Sequence, residues 1–192
     1  ITKFTMKKCY LNDEKLVSIS ELFKIDCLNN ITSIDISDNK FNELKYLETF
    51  LRNTAFAIKL TSLKANCTTN DLECEKNVDL SRILNKSNME EFEFADCRLS
   101  SKGIVFESKK VASSLKRVRL SGTDVNNIDL REPELEYLEI SDKHCGVIQW
   151  KKVSKLVISI SQGEEKDLSQ SNIFSKLPNL NEVESLWLKG EN

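Results

Sequence analysis

The apolar residues of this chain recur in a pattern that neither a plain helix nor a plain strand keeps. Between Ile31 and Phe41 they stand at Ile31, Ile34, Ile36 and Phe41, with Asn39 two places before the last. The same template returns in full at Ile1, Phe4, Met6, Cys9 and Leu11, at Met89, Phe92, Phe94, Cys97 and Leu99, and at Leu115, Val118, Leu120, Thr123 and Val125. Shorter copies start at Leu60 with Leu63 and Ala65, at Leu135 with Leu138 and Ile140, at Val153 with Leu156 and Ile158, and at Val183 with Leu186 and Leu188. The alternating centre of each unit predicts a short strand with one buried face. Cys9, Asn39, Cys97 and Thr123, at the ninth position of their units, are expected to be buried at equivalent turns where the chain leaves the strand.

Between the strands the spacing lengthens. Leu16, Ile19, Leu22, Phe23 and Cys27 fall near helical spacing after the acidic turn Asn12-Asp13-Glu14. Leu44, Leu47, Phe50, Leu51 and Ile58 form a second stripe that Asn42 is placed to cap, with an irregular end over 54–57. The third unit loses the template after Asn66, and Asn70 with Leu72 looks like the same ending displaced by two residues, which predicts an enlarged loop. A short helical turn is expected from Val78 to Leu84 and a helical stretch up to Ser114, with Pro133 marking an irregular connection. Successive units start 30, 29, 29, 26, 20, 18 and 30 residues apart, so the long steps have room for a helix and the short ones do not.

The template resembles that of the leucine-rich repeat family, and the longer units, with Gly103 after the strand, are similar to its ribonuclease-inhibitor-like class. The resemblance implies an α/β solenoid shaped as a curved horseshoe, with about eight parallel strands on the concave face and helices and irregular turns on the convex face. It covers 1–192 as a single domain, with curvature stronger in the first half. The chain departs from the family at its ends, having no cysteine-rich cap and no polar helix over Ile1, Phe4 and Met6, so it is expected to be part of a larger protein or capped by one. The resemblance also implies a non-enzymatic module that binds a protein, with possible duties in immune sensing, ubiquitin-ligase substrate selection or GTPase regulation.

The positions between the apolar ones face outward and carry the binding hypothesis. The third-position column is Lys3, Ser33, Ser62, Glu91, Arg117, Tyr137, Lys155 and Ser185, and the fifth is Thr5, Asp35, Lys64, Glu93, Arg119, Glu139, Val157 and Trp187. Strands about 4.8 Å apart let Glu91 reach Arg117, and Arg119 reach both Glu93 and Glu139. One account is a surface ion-pair ladder that keeps the sheet soluble and in register. The other is a recognition surface made of Glu91, Glu93, Arg117, Arg119, Tyr137, Glu139, Val157 and Trp187, with Tyr137, Val157 and Trp187 as its apolar anchor.

Composition narrows the partner. With 28 basic and 30 acidic side chains in 192 residues, and 40% hydrophobic residues, neither disorder nor a bulk polyanion is implied, so no nucleic-acid partner is expected. No run of about 18 apolar residues is visible and no signal peptide is visible in this stretch, so no membrane partner is expected, and the leading expectation, a cytoplasmic protein, rests on the repeat resemblance and the expected free thiols. The triplets Asn30-Ile31-Thr32, Asn66-Cys67-Thr68 and Asn85-Lys86-Ser87 suit the alternative, a secreted or cell-surface recognition domain. A constitutive structural subunit of a larger assembly is a third possibility.

Of the six cysteines, only Cys67 and Cys74 lie close enough in sequence to suggest a local disulfide, and Cys9 and Cys97 are expected to be free thiols at their repeat position. The chemistry of an enzyme is poorly represented. His144 and Cys145 are adjacent, and neighbours on an extended segment point to opposite faces, which defeats a nucleophile–base pair. The cysteines lack zinc spacing, the group Asp35, Asp38 and Asn39 lacks the Gly and distant Glu of a calcium loop, and there is no Gly-rich phosphate loop. No cofactor, metal or small-molecule substrate is therefore expected, and Trp150 and the phenylalanines are read as core.

Overall fold

The structure, a computed structural model, describes residues 1–22, 30–57, 59–67, 78–79, 88–97, 104–105, 113–123, 125–160 and 173–190. Its strands are β1 (Lys3–Thr5), β2 (Ser33–Asp35), β3 (Ser62–Lys64), β4 (Val78–Asp79), β5 (Glu91–Glu93), β6 (Ile104–Val105), β7 (Arg117–Arg119), β8 (Val125–Ser141), β9 (Ile148–Ile160) and β10 (Val183–Gly190). Strands β1, β2, β3, β5, β7, β8, β9 and β10 pair in that order, all parallel. The register follows the repeat: Lys3, Ser33, Ser62, Glu91, Arg117, Tyr137, Lys155 and Ser185 stand side by side, and so do the fifth-position residues from Thr5 to Trp187. A one-residue slip would turn each apolar column out into water, and that fixes the pairing.

The core is built from three columns. First-position Ile31, Leu60, Met89, Leu115, Leu135 and Val153, fourth-position Ile34, Leu63, Phe92, Val118, Leu138 and Leu156, and their sixth-position neighbours are buried in one continuous cluster. On the two outer strands, each with a neighbour on one side, the columns emerge: Ile1, Leu186 and Leu188 are exposed and Phe4 and Met6 half-buried.

At the end of four of the strands, in the first, second, fourth and fifth units, the eighth residue takes a left-handed conformation, at Lys8, Asp38, Asp96 and Gly122. The ninth then turns inward. Asn39, 1% exposed, accepts hydrogen bonds from the backbone of Cys9 (2.9 Å) and Leu11 (3.1 Å) and donates to the carbonyls of Met6 (2.7 Å) and Ile36 (2.8 Å). Thr123 repeats the device, accepting from Cys97 N (3.1 Å) and donating to Phe94 O (2.7 Å). Both serve the sixth and ninth residues of the preceding unit, groups that would otherwise be buried unpaired.

Between these two rungs the link is covalent, which corrects the expectation of a free thiol at Cys97 and of a Cys67–Cys74 pair. Cys67 and Cys97 form a disulfide, with Cα atoms 4.9 Å apart. The third unit is one residue shorter than the others before its turn, so Cys67 stands beside Asn39 in the ladder, one place ahead of the ninth position. Cys9 is a free thiol as expected but is exposed rather than buried, following β1 at the edge of the described sheet.

The return legs differ from expectation in kind. Helix α1 (Asp13–Leu22) is capped by Asn12, whose side chain accepts from Lys15 N (3.1 Å), and it buries Leu16 and Ser20 while Leu22 is exposed. Helix α2 (Leu44–Ala57) buries Leu47 and Phe50 and continues through 54–57, where two alanines favour the helix over the expected irregular end. Asn42 lies two residues before α2, and its backbone N–H donates to Asp13 (3.3 Å). Within the segments expected to be helical, the described residues Val78–Asp79 and Ile104–Val105 are strands, and 80–84 and 106–112 lie outside the described residues. Val78–Asp79 pairs with Ile104–Val105, which pairs with the start of β8, making a second parallel ladder. Phe23, Cys27, Ile58, Asn70, Leu72, Leu84, Leu99 and Gly103 lie outside the described residues.

Pro133 sits within β8, where the register shifts between Leu130 and Glu134. The expected irregularity is thus a bulge in a continuous strand, a place where a residue without an N–H fits. Strands β8 and β9 each cover a return leg and a main-sheet strand, pairing Ile128 with Ile148 and Leu130 with Trp150 before the bulge and Leu135 with Val153 after it.

Candidate functional site

Three short strands and three longer ones bring the outward columns into one face. Its left part is a closed charge network. Lys64 Nζ lies 2.9 Å from both Glu91 Oε1 and Glu93 Oε1, Ser62 donates to Glu91 (2.8 Å), and Asn66 donates to Glu93 (3.0 Å). Arg117 Nε is 3.7 Å from Glu91, as the alternation of charge predicts. Burial alone raises the Glu91 carboxyl, but hydrogen bonds from Lys64 and Ser62 and the charge of Lys64 outweigh it and hold it below the usual range. Burial likewise opposes the charge of Lys64, and its hydrogen bonds to Glu93 and Glu91 win, raising it.

The centre of the face is Glu139, expected on the surface and found 4% exposed. Tyr137 OH donates to its Oε2 (2.6 Å) and Ser121 Oγ to its Oε1 (2.9 Å). Arg119 Nε stands 3.1 Å from Oε2, at an angle that makes an ion pair without a hydrogen bond. Lys189 reaches Glu139 from two strands away (3.7 Å). Desolvation pushes Glu139 up, and the Tyr137 hydrogen bond, the Arg119 charge and the Ser121 hydrogen bond together bring it below the ordinary range. The same burial, with the hydrogen bond and charge of Glu139, raises the Tyr137 phenol. Arg119 turns to Glu139 and to Asp96 (3.6 Å), while Lys64 and Asn66 hold Glu93, a different pairing from the expected bridge.

The right part is aromatic and cationic. Arg117 lies 5.3 Å from the Tyr137 ring centre, Lys155 Nζ 6.0 Å from the same ring and 4.7 Å from that of Trp187. Trp187 is 58% exposed, as its column predicts, but Val157 is 6% exposed and is no surface anchor. It lies in register between Glu139 and Trp187, beneath the span that Lys189 crosses to reach Glu139.

The two outward columns missed a third with the same parity. Seventh-position Ser37, Asn66, Ser121 and Ser141 supply hydrogen bonds that lock the face, and Lys189 an ion pair: Ser37 accepts from Asn66 N (3.2 Å), Asn66 from Ala95 N (2.9 Å) and Ser141 from Gly122 N (2.8 Å). Their repeat position was a visible signal. Gly122 itself is favoured by its φ of 70° and by close packing, because a Cβ there would stand 3.0 Å from the backbone Cα of Asp96.

His144 and Cys145 are both buried, His144 Nδ1 accepts from Ser141 N (3.4 Å), and burial pushes the Cys145 thiol up to about 11, so it is protonated at neutral pH. A groove of about 530 Å³ beside α1 and α2 is lined by Asp13, Glu14, Val17, Asn42, Glu43 and Tyr46. Among the described residues no helix is long and apolar enough to cross a membrane, and no three His, Cys, Asp or Glu side chains are grouped to hold a metal ion. Comparison with protein-family models, with curated proteins and with solved structures finds no match to this chain.

Proposed function

We propose that the chain is a non-enzymatic leucine-rich repeat module that binds a protein partner through the concave face of its sheet. The observation that carries this reading is the exposed Trp187 ring, stacked under Lys155 at the open end of a face whose other charges are already paired. A preorganised ladder loses little side-chain entropy on binding, and a half-exposed Trp beside Lys155, on the same face as Tyr137 and Arg117, has the composition of a binding hot spot. Glu91, Glu93, Arg117, Arg119 and Tyr137 form the polar field around the anchor, and Glu139 and Val157 support it from below.

The Cys67–Cys97 disulfide favours the secreted or cell-surface form of this reading over the cytoplasmic one, because such bonds persist in oxidising compartments. The test is kinetic. With the partner captured on the full chain, Trp187→Ala is expected to raise the off-rate about tenfold or more, and Arg119→Glu to slow association most at low salt. Both variants are melted first. If they stay folded and bind with unchanged kinetics, the face is not the recognition surface.

A further inference from the structure

The asparagines of two of the chain's Asn-x-Ser/Thr triplets, Asn30 and Asn66, lie among the described residues, and the fold treats them in opposite ways. Asn30, just before the first position of the second unit, is exposed. Asn66 is buried at a seventh position, its Nδ2 donating to Glu93 (3.0 Å), its Oδ1 accepting from Ala95 N (2.9 Å), and its neighbour Cys67 tied to Cys97. We propose that Asn30 carries an N-linked glycan and that Asn66, with the same sequence signal, does not.

The proposal rests on the extracellular reading above and is independent of the binding face. The disulfide supplies a second observation, since the compartment that oxidises Cys67 and Cys97 is also where lipid-linked oligosaccharide is transferred to Asn-x-Ser/Thr. In that transfer the Asn30 amide nitrogen forms a bond to the anomeric carbon of the donor sugar. The bond from that carbon to the pyrophosphate oxygen breaks, the lipid pyrophosphate leaves with the electron pair, and the amide gives up one proton. The fold then tolerates or rejects the product. A sugar on Asn30 projects from the entry to β2, two strands before β5, and leaves the row from Glu91 to Trp187 open. A sugar on Asn66 would displace Glu93 from the charge network and wedge apart the seventh-position row between Ser37 and Ala95.

The test is peptide mapping of the full chain from its native source, treated with peptide N-glycosidase in heavy-oxygen water under non-reducing conditions. The tryptic peptide 25–40 is expected to carry Asn30 converted to labelled aspartate, with Asn66 unlabelled. In chain secreted from cultured animal cells, Asn30→Gln is expected to remove one glycan's mass and Asn66→Gln none. Unlabelled Asn30 or labelled Asn66 overturns the proposal. If Cys67 and Cys97 are linked in that sample, only the glycan assignment fails; if they are reduced, the extracellular reading falls with it.

Discussion

The first units and the β8–β9 pair close the back of one sheet by different means. The early steps of 30 and 29 residues return through α1 and α2, whereas the steps of 20 and 18 run through β8 and β9 themselves. A helix advances about 1.5 Å per residue and a strand about 3.3 Å, so a short leg spans the same distance only if extended. The difference decides where backbone groups find partners. Behind β8 and β9 the return leg is itself hydrogen-bonded, while among the first five units Asn39, Thr123 and a disulfide join one turn to the next.

Breaking the covalent rung is the largest test of that contrast. A loop closed over a separation of 30 residues is expected to contribute about 3 to 4 kcal/mol. Reduction, or joint replacement of Cys67 and Cys97 by alanine, is therefore expected to lower the urea midpoint and to speed amide exchange in β2, β3 and β5 before β8 and β9. An unchanged midpoint would show that packing alone holds the early units.

Asn39→Ala comes next, at about 1 to 3 kcal/mol, because it orphans Cys9 N, Leu11 N and Met6 O in the turn of the preceding unit. Equilibrium unfolding measures the loss, and a change within error would mean that water replaces the side chain there.

The smallest effect belongs to the shared face. Glu139 and Glu91 have folded pKa values below the ordinary 4.5, so their contribution is present above that pH and is lost as pH falls through the folded values. Tyr137→Phe removes a hydrogen bond that lowers Glu139 and is expected to flatten the acid limb of the stability profile. Tyr137 itself acts at the other end: its raised phenol contributes below its ordinary 10.0 and is lost as pH rises through the folded value. A Tyr137→Phe profile identical to that of the unaltered chain in acid would show that Arg119 and Ser121 suffice.

The strand register was legible because three apolar columns repeat at fixed spacing, and a parallel sheet converts equal spacing into adjacency. The same columns placed Trp187 outward and put opposite charges side by side. Burial of Glu139 and Val157 was not legible from alternation, since it depends on Tyr137, Arg119 and Lys189 reaching across strands. The disulfide was hidden by one missing residue in the third unit, which shifts Cys67 off the ninth position while leaving it in the ladder. At Val78–Asp79 and Ile104–Val105 strand replaces the expected helix for a local reason: Val78, Ile104, Val105 and Val125 are β-branched, and that preference outweighed the approximate helical spacing.

The most direct test of the recognition claim is amide hydrogen exchange on the full chain with and without its captured partner. The expected result is slowed exchange and altered side-chain reactivity along β7, β8, β9 and β10, centred on Trp187, with α1 and α2 unchanged. A footprint on the groove between Asp13 and Tyr46, with Trp187 as reactive in the complex as in the free chain, would contradict it.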